Sequence, residues 1–461
     1  MCLRSSTKLK SEMVANGAAV SSSSYKQYAR RPLVSSSCGY VKTFFVMLYS
    51  HLCVTMLCIN VAFDLFVLGL PAYLVLYPVS KSLFRKYMTA LINYTTPIVV
   101  NLPMILSGST LHCDSMDYYM NKVKQQNSLM LANHGSRIDW MIGMYVGYIK
   151  TATSPRSRVG FVCERVIQLM PLIGWYRRLV CEDVFVDRSF KIDSINIALN
   201  LNDFHKTQTE RMLYLSPEGV VVDYGERDQK YIANCREFCK EQGYEPFDYV
   251  LTPRYKGQTI LVDHIKGGGT ITSICTAFVK NGKLLNCEMS SEERSIPDIY
   301  TLCAGIAGEP VHMYINLEEM HFKSTDQPEV IKKIMMEDYK RKDDKLREWH
   351  KLLKAGKKKE FEKQFETFVP HFWDAQLHQV AHALSIFALC HFLGVTYGFL
   401  KFACCVFAAV AGGHTLGWFM NATSMESVPF ETAIKGVMMV LFPSTRKHKE
   451  DRKIVLEKKD E

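Results

Sequence analysis

Between Thr43 and Val79 the chain is almost wholly apolar, broken mainly by His51, Asn60, Asp64 and Pro71. As a helix the stretch measures about 55 Å at about 1.5 Å per residue, whereas about 20 residues cross the ~30 Å hydrocarbon layer of a bilayer. Whatever else the chain does, it is expected to do it beside a membrane. Two arrangements fit the length: one long tilted helix, or a hairpin of two short ones. Polar residues near the middle favour the hairpin, because an unpaired Asp64 at mid-bilayer depth is costly. Two more apolar stretches, Ser385 to Leu400 and Phe402 to Met420, flank Lys401. Each is near the minimum spanning length, and as a pair they return the chain to its starting side.

Composition hides this unevenness, since 48% hydrophobic and 22% charged residues describe an ordinary globular protein. The formal charge of +10 is placed tellingly. Arg4, Lys8, Lys10, Lys26, Arg30, Arg31 and Lys42 precede the apolar run, against Glu12 alone. That is a cytosolic flank by the positive-inside rule, and no basic stripe interleaved with aromatics speaks for nucleic acid. Residues 1–42 are otherwise Ser-rich and read as a disordered basic tail. Fifteen cysteines occur without a CxxC, several inside apolar runs, which argues for reduced structural thiols rather than a metal cage or disulfide scaffold.

The middle of the chain alternates short apolar or β-branched runs with amphipathic stretches. Strands are predicted at 128–132, 159–163, 183–187, 211–216, 270–279 and 311–316, and helices at Arg137 to Ile149, Phe190 to Lys206, Gln229 to Gln242 and Gln258 to Lys266. Such alternation belongs to βα units. The charged stretch that follows, 336–380, is read as a solvated helical linker laced with opposite charges.

One junction carries possible chemistry. NHGSRIDW, beginning at Asn133, follows the apolar run SLMLA. Ser136 and Asp139 fit a capping box, with Ser136 at the N-cap and the Asp139 carboxylate reaching back from the third helical position. His134 precedes the cap. Residues i and i+5 of a helix point to different sides, so a contact between His134 and Asp139 needs the turn between strand and helix. The spacing permits a dyad, and it equally permits a helix start with a structural histidine. No GxSxG elbow or catalytic cysteine signature accompanies it, so a base here would activate a hydroxyl belonging to the substrate.

His134 and Asp139 match the NHxxxxD box of the glycerophospholipid acyltransferases, which include the lysophosphatidic acid acyltransferases, and three further blocks follow in that family's order. These are GW at 174–175 leading to FVDR at 185–188, SPEG at 216–219 and LTPRYKG at 251–257. The chain therefore resembles this family over about residues 42–461, most nearly the branch of lysocardiolipin and lysophosphatidylinositol acylating enzymes. The resemblance implies an α/β acyltransferase domain, a mixed sheet flanked by helices, at 81–335. Membrane segments are expected at 43–80 and 381–421, and a cytosolic tail at 422–461.

It also implies the chemistry. His134 takes the proton of a lysophospholipid hydroxyl as it attacks the acyl-CoA thioester, and Asp139 orients the imidazole; acyl-CoA is a co-substrate, and no metal or other cofactor is expected. Arg188 is expected to bind the acceptor phosphate, with an ion pair to Asp183 or Asp187 as its plain alternative. Glu218 and Gly219 are expected to position the polar head, or else only to form a turn with Pro217. Arg254 and Lys256 are expected to hold phosphates of CoA or the head group.

The chain departs from the family where its third block reads SPEGVV instead of Phe-Pro-Glu-Gly-Thr-Arg, removing an arginine, and at Gly135, where the nearest branch has a bulkier residue. The second is expected to be tolerated because it lies in a turn. Acylation of 1-acylglycerol-3-phosphate is the runner-up activity, and a catalytically weak lipid-binding scaffold is the reading from another class. His378 and His382 are read as interfacial. The terminal KKDE resembles a dilysine retrieval signal, so the chain is expected in the endoplasmic-reticulum membrane, with a cytosolic catalytic domain if the C-terminal pair crosses twice.

Overall fold

The computed structural model describes residues 39–115, 127–153, 158–187, 189–222, 226–262, 270–323, 325–368, 372–404 and 407. The N-terminal tail up to residue 38, Arg188, most of the second C-terminal apolar stretch and the KKDE tail lie outside the described residues.

Among the described residues a nine-stranded mixed sheet runs in the order β4-β3-β5-β2-β6-β8-β1-β9, with β7 paired to β6. The strands are β1 (Leu111–Cys113), β2 (Ser128–Ala132), β3 (Arg158–Glu164), β4 (Val184–Val186), β5 (Arg211–Leu215), β6 (Thr270–Lys280), β7 (Lys283–Leu284), β8 (Val311–Met320) and β9 (Glu366–Phe368). β4, β3, β5, β2 and β6 are mutually parallel; β8 then runs antiparallel to β6 through ten paired residues, from Ile271 opposite Met320 to Lys280 opposite Val311. Every long apolar run of the middle region is a strand of this sheet. β1, β7 and β9, of two or three residues each, were too short to show a period.

β2 is buried at all five positions, as a central parallel strand covered on both faces must be. Met130 and Ala132 face one core with Met141, Ile142 and Val146 of helix Asp139–Thr153 and with Leu91 and Ile92 of helix Lys81–Thr96. Leu129 and Leu131 face the other, with Ile197 and Leu201 of helix Phe190–Lys206 and Met335, Tyr339, Leu346 and Trp349 of helix Pro328–Lys354.

The expected hairpin within 43–79 is not what forms. Val41–Val79 is one continuous 39-residue helix, and the reversal comes at Ser80, whose Oγ caps a second apolar helix, Lys81–Ser107, by accepting the Leu83 N–H at 3.3 Å. Both are long and apolar enough to cross a membrane, yet 61% and 72% of their most apolar windows are buried against the protein. Asp64 is tolerated because it does not face lipid. It is 1% exposed, and His382 Nε2 of helix Phe372–Phe392 lies 3.5 Å from its Oδ1. One turn earlier, Asn60 Nδ2 donates to Gln379 Oε1 at 3.0 Å. His382 is thus a buried partner of Asp64 instead of an interfacial residue.

The C-terminal break also moves. Helix Phe372–Phe392 stops at Gly394, φ +65°, with the Gly394 N–H on the His391 carbonyl and the Val395 N–H on the Cys390 carbonyl. This is a glycine C-cap of Schellman form, so Ser385 to Leu400 is not one segment, and Lys401 sits inside the next helical stretch.

The charged linker is a third correction. Pro328–Lys354 is a 27-residue helix whose Ile331, Met335, Tyr339, Leu346 and Trp349 pack into the core, so the domain does not end at 335. Its charges offset each other inside: Lys342 and Asp338 are 2% and 1% exposed and pair at 2.9 Å.

Candidate active site

The parallel strands bring three sequence blocks to one edge. His134 comes two residues after the end of β2, Glu218 three after β5, and Phe185 and Val186 of the FVDR block end β4. Crevices at the carboxyl ends of parallel strands are the usual ligand sites of such sheets.

Asn133 fixes the turn. Its Oδ1 accepts the Thr276 N–H at 2.6 Å and its Nδ2 donates to the Thr276 carbonyl at 3.1 Å, fastening β2 to β6. Gly135 follows because there is no room for a side chain: a Cβ would lie 2.7 Å from Asn286 Nδ2 and 3.3 Å from the Phe278 ring. The departure from the family pattern is therefore a close-packing requirement, stricter than tolerance in a turn.

Capping and dyad geometry coexist at Asp139. Ser136 Oγ accepts the Ile138 N–H at 3.0 Å and donates to Asp139 Oδ1 at 2.8 Å, while Asp139 Oδ2 accepts the Ser136 N–H at 3.3 Å. The same Oδ2 lies 2.7 Å from His134 Nδ1. Asp139 is nearly enclosed, with 4% of its side chain exposed, whereas His134 keeps 27%. A carboxylate at Nδ1 selects the tautomer that carries its proton there, leaving Nε2 as the free base.

Both oxygens of Glu218 are engaged by backbone groups. Its Oε1 accepts the His134 N–H at 2.9 Å and its Oε2 the Leu251 N–H at 3.3 Å, and the residue is 3% exposed. Burial pushes its carboxyl up to about 7, with the two N–H bonds pulling the other way. The side chain is spent on holding the turn of His134 to the LTPRYKG block. Gly219 adopts φ +72° and closes the turn with its N–H on the Ser216 carbonyl at 3.0 Å, as its plain reading required. The Arg254 side chain lies across it: a Cβ on Gly219 would sit 3.3 Å from Arg254 Nε.

Arg254 is exposed; its backbone N–H bonds the Pro217 carbonyl at 2.9 Å and its Nη2 donates to the Tyr231 hydroxyl at 3.1 Å. Lys256 is also exposed, and it is not drawn into these contacts. Of the alternative partners for Arg188, Asp183 is taken by Arg177 at 2.6 Å and Asp187 by Arg165 at 2.8 Å.

Three contributors on helix Pro328–Lys354 were missed from sequence. Tyr339 hydroxyl donates to the Ala132 carbonyl at 3.2 Å and Lys342 Nζ to the Leu131 carbonyl at 2.9 Å, both on the strand end that carries His134. Asp343 on the same helix accepts the N–H groups of Asp248 and Tyr249, just ahead of the LTPRYKG block. The apolar spacing Ile331, Met335, Leu346, Trp349, Leu353 was the signal that this helix is packed.

A family model described as Acyltransferase matches residues 116–242, the stretch holding His134, Asp139, Glu218 and Gly219. Residues 116–242 therefore carry an acyltransferase domain. The chain is 25% identical to "Lysocardiolipin acyltransferase 1" of Danio rerio over 149 residues, 32% of this chain and 36% of that protein. It is 22% identical to "1-acyl-sn-glycerol-3-phosphate acyltransferase 3" of Arabidopsis thaliana over 325 residues, 68% and 73% of the two chains. With "Lysophosphatidylinositol acyltransferase 10" of Caenorhabditis elegans it shares 23% over 184 residues, 40% and 44%. Against the solved PlsC acyltransferase of Thermotoga maritima the identity is 16%, over 63% of this chain and 95% of that one, with a TM-score of 0.33.

Proposed function

We propose that the protein transfers an acyl group from acyl-CoA to the free hydroxyl of an anionic lysophospholipid, of the lysocardiolipin or lysophosphatidylinositol kind. The observation that carries the mechanism is the 2.7 Å contact between His134 Nδ1 and the enclosed Asp139, beside a histidine ring that remains partly open. His134 Nε2 takes the proton of the acceptor hydroxyl while its oxygen attacks the thioester carbonyl. Asp139 stabilises the imidazolium so formed. The tetrahedral intermediate collapses, the C–S bond breaks, and the thiolate of CoA leaves with the proton from Nε2, giving the ester and CoA-SH. No acyl-enzyme is required, and acyl-CoA is the donor without a metal or other cofactor.

Glu218, Tyr339 and Lys342 are positioning residues: they hold the backbone on either side of His134. Arg254 and Lys256, both exposed, and Arg188 are proposed to hold substrate phosphates. The catalytic domain is proposed to face the cytosol from the endoplasmic-reticulum membrane. The purified protein, given radiolabelled acyl-CoA and a panel of lysophospholipids, should acylate an anionic one, and His134→Ala should lose turnover. His134→Ala with full turnover refutes the mechanism. Lysophosphatidic acid as the preferred acceptor would instead assign the activity named for the Arabidopsis relative, and the absence of turnover on any lysolipid would favour a scaffold.

A further inference from the structure

The segment after β3 is apolar on the outside and held stiffly. It begins at Arg165, whose Nε bonds Asp187 Oδ2 at 2.8 Å, runs through the 3-10 turn Arg165–Leu169, and turns back at Leu172, φ +62°. The Gly174 N–H bonds the Met170 carbonyl at 2.9 Å, and a Cβ on Gly174 would collide with the Ile167 carbonyl. None of the residues of the 3-10 turn is buried; Val166 is 44% exposed, Leu169 37% and Trp175 41%.

Single exposed apolar residues are ordinary, and what distinguishes these is what they adjoin. The Trp175 ring meets Phe66 edge to face at 6.3 Å, and Phe66 and its neighbour Val67 are themselves 47% and 37% exposed on the long apolar helix Val41–Val79. The exposed face of a membrane helix thus continues across Trp175 onto a loop of the catalytic domain. Arg165, paired with Asp187, and Arg178, whose Nη1 donates to Gln168 Oε1 at 3.4 Å, bracket the loop. An indole at the edge of an apolar patch with basic residues beside it suits the interface between acyl chains and head groups. The loop leaves the carboxyl end of β3, the edge of the sheet on which His134 stands.

We propose that Phe66, Val67, Val166, Leu169 and Trp175 form a rim that sits in the bilayer interface, so that the catalytic domain touches lipid through its own loop as well as through its helices. The proposal rests on the continuity of this surface with the apolar helix and is independent of the chemistry assigned to His134.

The full chain reconstituted into phosphatidylcholine vesicles tests it through tryptophan emission, taking the difference between wild type and Trp175→Phe to isolate one of the five tryptophans. The difference emission should be blue-shifted, lost when the phosphatidylcholine is brominated on its acyl chains, and insensitive to aqueous iodide. Quenching by iodide with no response to brominated lipid overturns the proposal. Protection from both quenchers overturns it too, since a protein partner or second copy would then cover the rim. Because Trp175→Phe removes only the reporter, a second variant, Val166→Asp with Leu169→Asp, moves the rim itself. It should make the Trp175 emission iodide-sensitive, and an unchanged emission counts against a bilayer contact.

Discussion

The two edges of the parallel sheet both carry polar clusters, and they are built in opposite ways. At the amino edge, Arg158 opens β3 and Arg211 opens β5, and they meet Arg85 of helix Lys81–Thr96 around the ring of Phe204. Arg85 pairs with Glu182 at 2.9 Å and Asp203 at 2.6 Å, Arg158 pairs with Glu182 at 3.3 Å, and Arg211 Nη1 donates to the Glu182 carbonyl at 3.2 Å. All three arginines are at most 1% exposed. This end bolts the apolar helices to the domain and offers little to a ligand. At the carboxyl edge, the acids are just as buried, but the network stops one atom short: among the described residues His134 has one ring nitrogen engaged, and its ring is partly open. A dense charge cluster marks a joint, and a site is marked by the group left over.

Breaking each edge should separate activity from stability. Asp139→Asn turns the imidazole to the wrong tautomer, and kcat should fall by about 10²–10⁴-fold with the thermal unfolding midpoint little changed, since asparagine still caps the helix. Glu182→Gln should do the reverse. It removes the carboxylate that pairs with Arg85 and Arg158 and should cost about 3–5 kcal/mol of stability in a denaturation series, with kcat per folded molecule retained.

Glu218→Gln lies between the two. An amide can accept only one of the two N–H bonds, so about 1–3 kcal/mol of support for the His134 turn should be lost, read as a lower kcat with the acceptor KM unchanged. A raised KM would return Glu218 to the head group. The same variant has a pH signature. Burial raises the Glu218 carboxyl from 4.5 to about 7, so the folded state holds a proton that the unfolded state has released across that window. The stability from this group is complete below pH 4.5 and lost as pH rises through about 7, and Glu218→Gln should flatten that part of the profile. The smallest effect belongs to Gly219→Ala, where positive φ costs about 1–2 kcal/mol and the methyl displaces Arg254; unfolding measurements and the KM for acyl-CoA would register each part.

The elements themselves were largely legible. β2 and β5 follow from runs buried on both faces, helix Phe190–Lys206 from its period, and the capping role of Ser136 and Asp139 from three residues of spacing. Partnerships between distant segments were not. Nothing near Glu218 in sequence says that its oxygens meet the N–H groups of His134 and Leu251, because those groups come from the turn after β2 and from the loop ahead of helix Gln258–Leu261. Asp64 pointed to a hairpin only because a local rule charges an acid in lipid; its companion His382 is more than three hundred residues away. Helix Pro328–Lys354 was read by its charges, although the apolar face beneath them decides where it lies.

By itself the sequence determined an apolar anchor, alternating strands and helices, and a histidine five residues ahead of a helix-capping aspartate. These are short-range matters, settled by hydropathy, capping and the stiffness of a strand-to-helix turn. Tertiary structure alone decided that the chain reverses at Ser80, that Gly135 must be bare because Asn286 and Phe278 fill the space, and that Glu218 serves the backbone of His134. Each of those depends on which atoms from distant strands and helices arrive at the same place, and close packing, not spacing along the chain, sets that.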